Sequence, residues 1–324
     1  MKSSKNCIWL LGEGDPRNES EVYPFALEFL NDVSKFPYPQ WLLKMTSSFF
    51  AKKTSQNLSS VYRAINKYGI SWDEATHLAE KIEKSLDYVK VFVGMRYFPK
   101  EFQETAQAIV KEKFERVLLL PLFPHESDAF SAPCISKAEK TLSEEGFKGK
   151  VFSVRKYFDE NYLIEAICAL FNEAKTKSDK NSRLVLVANS VLKKIALKDN
   201  YLLHLKEAVK LIGEKIHIPI SLVRPSQYSW QEGILAFSGQ YSPFNSLEPN
   251  VENVIEEWNL SGCESIIVIP ISSVIESRET LYDLDINCKA LADTMKMEYL
   301  RVPAVSSHPL FLECAKNIGA KYFD

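Results

Sequence analysis

The stretch S-I-I-V-I-P-I-S-S-V-I-E-S, residues 265–277, begins with an uninterrupted apolar run, passes through a proline and ends in a polar loop. The stretch R-V-L-L-L-P-L-F-P-H-E-S, residues 116–127, shows the same order of features. Apolar runs without alternating polar residues are typical of strands buried on both faces of a parallel sheet. Residues 7–14 and 183–190 form a second pair of similar segments. The two pairs predict two similar α/β halves, joined near residues 158–182.

Apolar runs and helical segments alternate along the rest of the chain. The apolar runs lie at residues 7–11, 89–95, 116–123, 150–157, 183–189, 218–224 and 265–271. Segments with helical periodicity lie at residues 73–86, 101–114, 136–146, 201–215 and 251–262. This alternation predicts βαβ units. Such sheets bind ligands at the carboxyl ends of their strands, so the loops that follow the strands are the candidates for a functional site.

The composition is that of an ordinary globular protein, with 324 residues, 46% of them apolar and 25% charged. The formal net charge of -2 leaves no basic excess to neutralise phosphates, which argues against a nucleic-acid partner and gives no sign of an anionic membrane. No apolar run approaches the ~18 residues that span a bilayer, and we expect a cytoplasmic protein. The six cysteines form no C-x-x-C pair. We therefore expect reduced thiols and no iron–sulfur cluster.

The loop after the first predicted strand reads Gly12-Glu13-Gly14-Asp15-Pro16. A dinucleotide site needs G-x-G-x-x-G here. Instead, two acidic side chains would repel a pyrophosphate, and the proline removes a backbone donor. The chain also lacks Walker, G-x-S-x-G and H-E-x-x-H motifs. These features argue against nucleotide binding and serine hydrolysis.

Two acidic residues, Glu279 and Asp283, follow the apolar run at 265–271 with a spacing of four. On an α-helix this spacing places both carboxylates on one face, where they repel unless a cation or a proton lies between them. We expect Leu281 and Ile286 to hold this helix on the sheet. A solvated acidic helix face explains the same spacing, so the pattern alone leaves both interpretations open.

A family resemblance becomes visible at this segment. E-T-L-Y-D-L-D, residues 279–285, follows the strand I-I-V-I-P-I and resembles the ferrochelatase pattern V-S-D-H-x-E-T-L-Y-E-L-D. Further segments resemble ferrochelatase motifs in the family's order along nearly the whole chain. They are residues 11–16 (L-G-x-P), 62–71 (Y-x-x-I-G-G-x-S-P), 93–97 (G-M-R-Y), 120–124 (L-P-L-Y-P-Q), 187–190 (S-A-H-S-L-P), 247–249 (W-L-E-P) and 301–304 (R-V-P).

The resemblance implies a chelatase-like α/β fold of two Rossmann-like domains with parallel sheets and an interdomain cleft. The first domain would cover residues 1–160, including a porphyrin lip at 35–72. The second would cover residues 161–324, and its last helix, 308–324, is open to packing back on the first domain.

The family inserts a divalent metal, usually iron(II), into a porphyrin without any permanently bound cofactor. The resemblance therefore implies a porphyrin, either protoporphyrin or coproporphyrin, and a divalent metal as substrates. It leaves open a peripheral contact with a membrane or with another enzyme of the haem pathway.

The positions of this chain that match functional positions of the family fall into three groups. The catalytic positions are Glu279, Asn189 and Asp283. The metal-binding positions are Glu279 and Asn189. The porphyrin-binding positions are Met95, Arg96, Tyr97, Glu13, Ser190 and Ser277.

The sequence departs from the family at several of these positions. Asn189 stands where the family has its active-site histidine, and an amide cannot take a proton near neutral pH as an imidazole does. Ser277 replaces a second histidine, and Glu13 occupies a position that is often tyrosine. His125, in the loop after the predicted strand 116–123, is a candidate replacement base.

Three functions are compatible with these residues. The leading hypothesis is a ferrochelatase with a diverged active site, in which Glu279 is the principal proton acceptor and Asp283 passes protons or metal outward. One alternative is a tetrapyrrole-binding protein without turnover, acting as a carrier or sensor. The other is a cobalt chelatase of the same fold.

Overall fold

The computed structural model describes residues 5–36, 38–86, 88–178, 180–222, 233–239 and 246–323. The chain divides into two compact units: unit 1 comprises Met1–Tyr157 with Leu312–Asp324, and unit 2 comprises Phe158–Phe311. Within the described residues each unit contains a parallel sheet flanked by helices, which confirms the predicted fold class. The expected cleft between the domains stays a prediction.

The sheet of unit 1 contains β1 (Asn6–Gly12), β2 (Val89–Met95), β3 (Arg116–Pro121) and β4 (Lys150–Ser153). Their order across the sheet is β2-β1-β3-β4, and the described pairs are parallel. β1 is buried along its whole length, as its unbroken apolar sequence requires. β4 lies at an edge and is half-exposed or exposed.

The helices of unit 1 are α1 (Val22–Leu30), α2 (Gln40–Ile65), α3 (Ile70–Ser85), α4 (Pro99–Lys111) and α5 (Ser131–Glu144), with a 3-10 turn at Glu19–Glu21. Among the described helices none, α2 included, combines the length and the apolarity needed to cross a bilayer.

The sheet of unit 2 contains β5 (Arg183–Asn189), β6 (Ile220–Ser221), β7 (Gly233–Ser238), β8 (Ser265–Pro270) and β9 (Glu298–Arg301). Their order is β6-β7-β5-β8-β9, again with parallel described pairs. The central strands end at the same edge, so the residues that follow β5, β7 and β8 are brought close together.

The helices of unit 2 are α6 (Asn161–Lys175), α7 (Lys193–Ala196), α8 (Tyr201–Ile216), α9 (Val251–Leu260), a π-helix (Thr280–Cys288) and α10 (Lys289–Thr294), with a 3-10 turn at Val305–Ser307. The last helix of the chain is α11 (Pro309–Phe323), and from Leu312 onward it belongs to unit 1.

The predicted α-helix that carries Glu279 and Asp283 is a π-helix over nine residues. Its buried side chains are Thr280, Leu284 and Cys288, which are spaced by four. The hydrogen bonds of a π-helix run from i to i+5 and widen the turn, so a spacing of four stays on one face. The prediction that Leu281 and Ile286 hold the helix on the sheet is therefore wrong, since both are only half-buried.

Among the other differences from the predicted elements, two strands are shorter than expected, and some elements, including the interior strand β7, were not predicted. The strand predicted at 150–157 ends at Ser153, and that predicted at 218–224 is described only as Ile220–Ser221. Residues 223–232 lie outside the described part of the chain. The helix α6 and the strand β7 were not predicted, because α6 lies in the segment assigned to the junction and the apolar run of β7 is short.

Close packing between β1 and β2 gives a test of the fold. Trp9 is fully buried, and its ring lies 4.7 Å from that of Phe102. A Cβ atom at Gly94 would lie 2.3 Å from Trp9 Nε1. We expect Gly94→Ala to lower the free energy of unfolding by about 1–3 kcal/mol, because the methyl group overfills this contact.

Gly319→Ala in α11 is the matched control for this measurement. Its Cβ would meet Leu86 Cδ1 at 3.6 Å, an ordinary contact, and alanine favours a helix interior by about 0.5–1 kcal/mol. Urea titrations measure both variants. A Gly94→Ala variant as stable as the parent would contradict the packing of β1 against β2.

Candidate active site

Asn189, one of the predicted catalytic residues, is the last residue of β5. Its backbone N–H donates to Ser272 Oγ at 2.8 Å, and its carbonyl oxygen accepts from the Tyr201 hydroxyl at 3.0 Å. Burial raises the pKa of Tyr201, so the hydroxyl remains a donor at neutral pH. The backbone of Asn189 is thus fixed by neighbours that do not depend on its half-buried side chain.

Ser190 extends the pairing of β5 with β7 by one residue. Its N–H donates to the Ser238 carbonyl oxygen at 2.7 Å, and its hydroxyl oxygen accepts from the Leu247 N–H at 3.0 Å. The residue is 2% exposed. Its hydroxyl therefore holds the chain that leads into α9, and the porphyrin contact predicted for Ser190 stays a prediction.

Ser277 lies in the turn that leads from β8 to the π-helix. Its N–H donates to Thr280 Oγ1 at 2.9 Å, and the Thr280 hydroxyl donates to the Ser277 carbonyl oxygen at 2.9 Å. These two bonds use the backbone of Ser277 and close the turn that leads into the π-helix, and the porphyrin contact predicted for Ser277 stays a prediction.

Glu279 and Asp283 lie together beside Gly239, the residue that follows β7. A Cβ atom built on Gly239 would lie 3.9 Å from Asp283 Oδ2 and 3.9 Å from Glu279 Cγ. Gly239 has a φ of +73°, a conformation that glycine adopts without strain. The Glu279 side chain is 27% exposed and is paired with the Arg278 guanidinium. The two acidic side chains that were predicted to share a helix face therefore both lie next to Gly239.

Asp283 titrates in the physiological range in this setting. Burial raises the pKa of Asp283 to about 7, and the neighbouring carboxylates of Glu279 and Glu252 add to the increase. The positive charge of Arg278 and a hydrogen bond from the Gly239 N–H act in the opposite direction. A carboxyl group with a pKa near neutral can both accept and release a proton at working pH.

The acidic residue of the first loop, Glu13, is held by cations in unit 1. Glu13 Oε1 lies 2.8 Å from Lys35 Nζ and 3.1 Å from Arg96 Nη2. Arg96 also pairs with Asp32, and the Tyr97 hydroxyl donates to Asp32 Oδ2 at 2.6 Å. The side chain of Glu13 is 21% exposed, whereas that of Arg96 is 8% exposed. Glu13 is thus the accessible end of a buried charged network.

Burial and charge shift the pKa values of this network in different ways. Burial lowers the pKa of Lys35, although the Glu13 carboxylate opposes the change. Burial would raise the pKa of Asp32, but Arg96, Tyr97 and Ser34 outweigh it, so the pKa of Asp32 is lowered. Sequence reasoning missed Asp32 and Lys35, because the segment after α1 matches no motif.

Met95 and His125 are both buried in unit 1. Met95 is 0% exposed, and Cβ atoms at Gly12 and Gly14 would lie 2.9 Å and 2.7 Å from its side chain. Met95 therefore packs beneath the loop that presents Glu13. His125 is 2% exposed, and its carbonyl oxygen accepts from Ser131 Oγ at 2.9 Å. A role for His125 as a base would require its loop to open.

The predicted site residues are divided between the two units. Unit 2 contains Asn189, Ser190, Ser277, Glu279 and Asp283, and unit 1 contains Glu13, Met95, Arg96, Tyr97 and His125. Across the described ranges, no three His, Cys, Asp or Glu side chains are grouped so as to hold a metal ion.

Comparisons with known proteins agree with the resemblance. The chain is 28% identical to a ferrochelatase of Geotalea uraniireducens over 323 residues, which cover 98% of each chain. It is 25% identical to a ferrochelatase of Synechocystis sp. over 319 residues, covering 94% of this chain and 79% of the relative.

A solved structure of SirB from Bacillus subtilis with Fe3+ is similar in fold. The TM-score is 0.55 at 12% sequence identity, and the match covers 99% of this chain and 100% of that one. The sequence profile of the family described as Ferrochelatase matches residues 5–321. The chain belongs to the ferrochelatase family.

Proposed function

We propose that this ferrochelatase inserts iron(II) into a porphyrin in haem biosynthesis, with Glu279 as the principal proton acceptor. The observation that carries the proposal is the pair of carboxylates, Glu279 and Asp283, beside Gly239. Glu279, whose side chain is 27% exposed, is proposed to be the first to meet a proton from the substrate. Asp283, with its pKa raised to about 7 by burial, receives the proton next and returns it to solvent.

The reaction itself requires such a route. When iron(II) enters the macrocycle it replaces two pyrrole N–H protons, so each turnover forms four nitrogen–iron bonds and releases two protons. A carboxylate that faces the reacting nitrogens removes the protons. A second carboxyl group with a near-neutral pKa then takes each proton from the first, so that the first can accept another. Glu279 and Asp283 are suited to these two tasks in that order.

Asn189 is proposed to face the metal or a water molecule beside Glu279. Its amide donates or accepts a hydrogen bond but does not titrate. A second candidate function is a tetrapyrrole-binding protein with little or no turnover, because an amide at this position supplies no base beside Glu279. Glu13 is proposed to contact the porphyrin from unit 1, where Lys35 and Arg96 hold its carboxylate in place.

We further propose that α2 contacts a membrane surface through an exposed apolar stripe. The stripe consists of Trp41, Met45, Phe49 and Phe50, which are 67%, 66%, 80% and 52% exposed. The first three are spaced by four and lie on one side of the helix. α2 carries three lysines and an arginine but no acidic residue. Exposed aromatic residues with basic neighbours are typical of helices that lie in the interface of anionic lipids.

Replacement of Glu279 tests the acceptor assignment. We expect Glu279→Gln to retain porphyrin binding and to lower the kcat of anaerobic iron(II) insertion by ~10²-fold or more, because the amide keeps the shape but cannot accept a proton. The matched control is Asp293→Asn, which removes an exposed carboxylate from α10 that pairs with Lys289 at 3.2 Å. An unchanged rate in Glu279→Gln would refute the assignment.

Restoring the imidazole tests whether Asn189 limits the rate. We expect Asn189→His to raise the insertion rate by roughly 10- to 10³-fold, the usual contribution of one general base. The fold should tolerate the change, because Ser272 and Tyr201 bind only the backbone of this residue. Asn189→Gln is the control that adds no base. A parent rate that the histidine does not raise would show that the site works without an imidazole.

Vesicle binding tests the proposed membrane contact. We expect the protein to sediment with vesicles that contain anionic phospholipid more than with purely zwitterionic vesicles, and Met45→Ser with Phe49→Ser to abolish the difference. Leu260→Ser, at a residue that is 87% exposed on α9, is the control. If the double variant binds vesicles normally but has a raised KM for porphyrin, the stripe contacts the substrate and the membrane proposal is wrong.

A further inference from the structure

Arg301, the last residue of β9, binds two carboxylates that flank the Glu279–Asp283 pair. Its Nε donates to Asp285 Oδ1 at 2.9 Å, and its Nη1 donates to Glu276 Oε1 at 2.8 Å. Nη2 donates to the other oxygen of Glu276, and Nη1 also donates to the Val302 carbonyl oxygen at 2.6 Å. We call Arg301, Glu276 and Asp285 the Arg301 clamp. The Arg301 side chain is only 10% exposed.

The clamp commits Glu276 to a structural role. Glu276 Oε1 also accepts from the Ala304 N–H at 2.7 Å. Burial would raise the pKa of Glu276, but the hydrogen bonds and charge of Arg301 outweigh it, and the pKa of Glu276 is lowered. A carboxylate that is fixed in this way does not take part in proton transfer, so its bonds serve to hold the chain in place.

The sequence positions of the two carboxylates show what the clamp holds. Glu276 lies three residues before Glu279, in the turn that leads into the π-helix, and Asp285 lies two residues after Asp283, within it. π-helices are rare and are frequently found at functional sites. The bonds from Arg301 thus fix the chain on both sides of the reactive carboxylates.

We infer that Arg301 is a positioning residue for metal insertion, which fixes the direction of Glu279 and Asp283 by binding Glu276 and Asp285 at once. The inference rests on the proposed function, in which Glu279 accepts the proton. Only a planar guanidinium can make these contacts, because its N–H donors point in several fixed directions. Two of its nitrogens, Nη1 and Nη2, bind Glu276, while the third, Nε, binds Asp285. A lysine ammonium on a flexible stem cannot reproduce that arrangement.

Kinetics of Arg301→Lys and Arg301→Gln test the inference. We expect kcat for iron(II) insertion to fall ~10- to 10²-fold in both, because small displacements of reacting groups carry such losses. The KM for porphyrin should stay within about threefold of the parent value, a change worth under ~1 kcal/mol. Arg183→Gln is the matched control. It removes an arginine from β5 that bonds Ser261 at 3.0 Å and contacts the Trp258 ring, and its kcat should be unchanged.

A double variant separates positioning from general loss of structure. If Arg301 acts through Glu279, Arg301→Gln combined with Glu279→Gln should be no slower than Glu279→Gln alone, because the group to be positioned is already inactive. The inference would be overturned if the double variant lost kcat by the product of the two single losses, or if Arg183→Gln lost as much kcat as Arg301→Gln. Neither result would affect the assignment of Glu279 as the proton acceptor. Full activity in Glu279→Gln would overturn both.

Asp285→Asn is the second single variant, because Arg301→Gln leaves two carboxylates without their cation and lowers stability. Asp285→Asn removes one of the two carboxylates that Arg301 binds and leaves no carboxylate without its cation. We expect a ~3- to 10-fold lower kcat, again with no further loss on a Glu279→Gln background. A parent-like kcat in Asp285→Asn would contradict the inference even if Arg301→Gln did not fold.

Discussion

The burial of Asp283 beside Glu279 is the interaction on which the candidate site depends. Two carboxylates in one small region repel each other, and the loss of solvent disfavours the charge further, so the pKa of Asp283 rises to about 7. The Gly239 N–H and the Arg278 guanidinium limit this rise. The balance leaves a carboxyl group whose pKa lies near neutral, whereas that of an exposed aspartate lies near 4.

The rest of unit 2 follows from the need to hold that pair. β7 ends at Ser238, which places Gly239 against the π-helix, and the buried face of the helix, Leu284 and Cys288, packs into the core of the sheet. The loop from β8 begins the helix through Ser277 and Thr280. In unit 1 the acidic side chain of Glu13 is surrounded by positive rather than negative charges, because Lys35 and Arg96 contact it. The Asp283 carboxyl group is thereby suited to moving protons, whereas the Glu13 carboxylate is held in place by two cations.

The sequence predicted the parallel sheets well, because β1, β3, β5 and β8 are buried on both faces and therefore consist of unbroken apolar runs. It also placed Glu279 and Asp283 on one face. It did not predict the π-helix, since side-chain spacing does not reveal whether backbone bonds run to i+4 or i+5. The sequence pattern assigned Leu281 and Ile286 to the sheet, and the wider turn places Leu284 and Cys288 there instead.

Contacts between residues distant in sequence were beyond prediction. Arg301 is 25 residues from Glu276 along the chain, and Asp32 is 64 residues from Arg96. Nothing in the local sequence of either pair indicates its partner, because the pairing is decided by the order of strands and by the loops between them. The motif R-V-P at residues 301–303 marked Arg301 as a family position but did not indicate its role.

We expect the protein to turn over as a ferrochelatase although the amide of Asn189 cannot act as a base. The most direct measurement is anaerobic iron(II) insertion by the purified protein under multiple-turnover conditions, with protoporphyrin and with coproporphyrin in parallel. We expect at least one porphyrin to be metallated many times per protein chain. Tight porphyrin binding with no more than one metallation per chain, for either porphyrin, would contradict it.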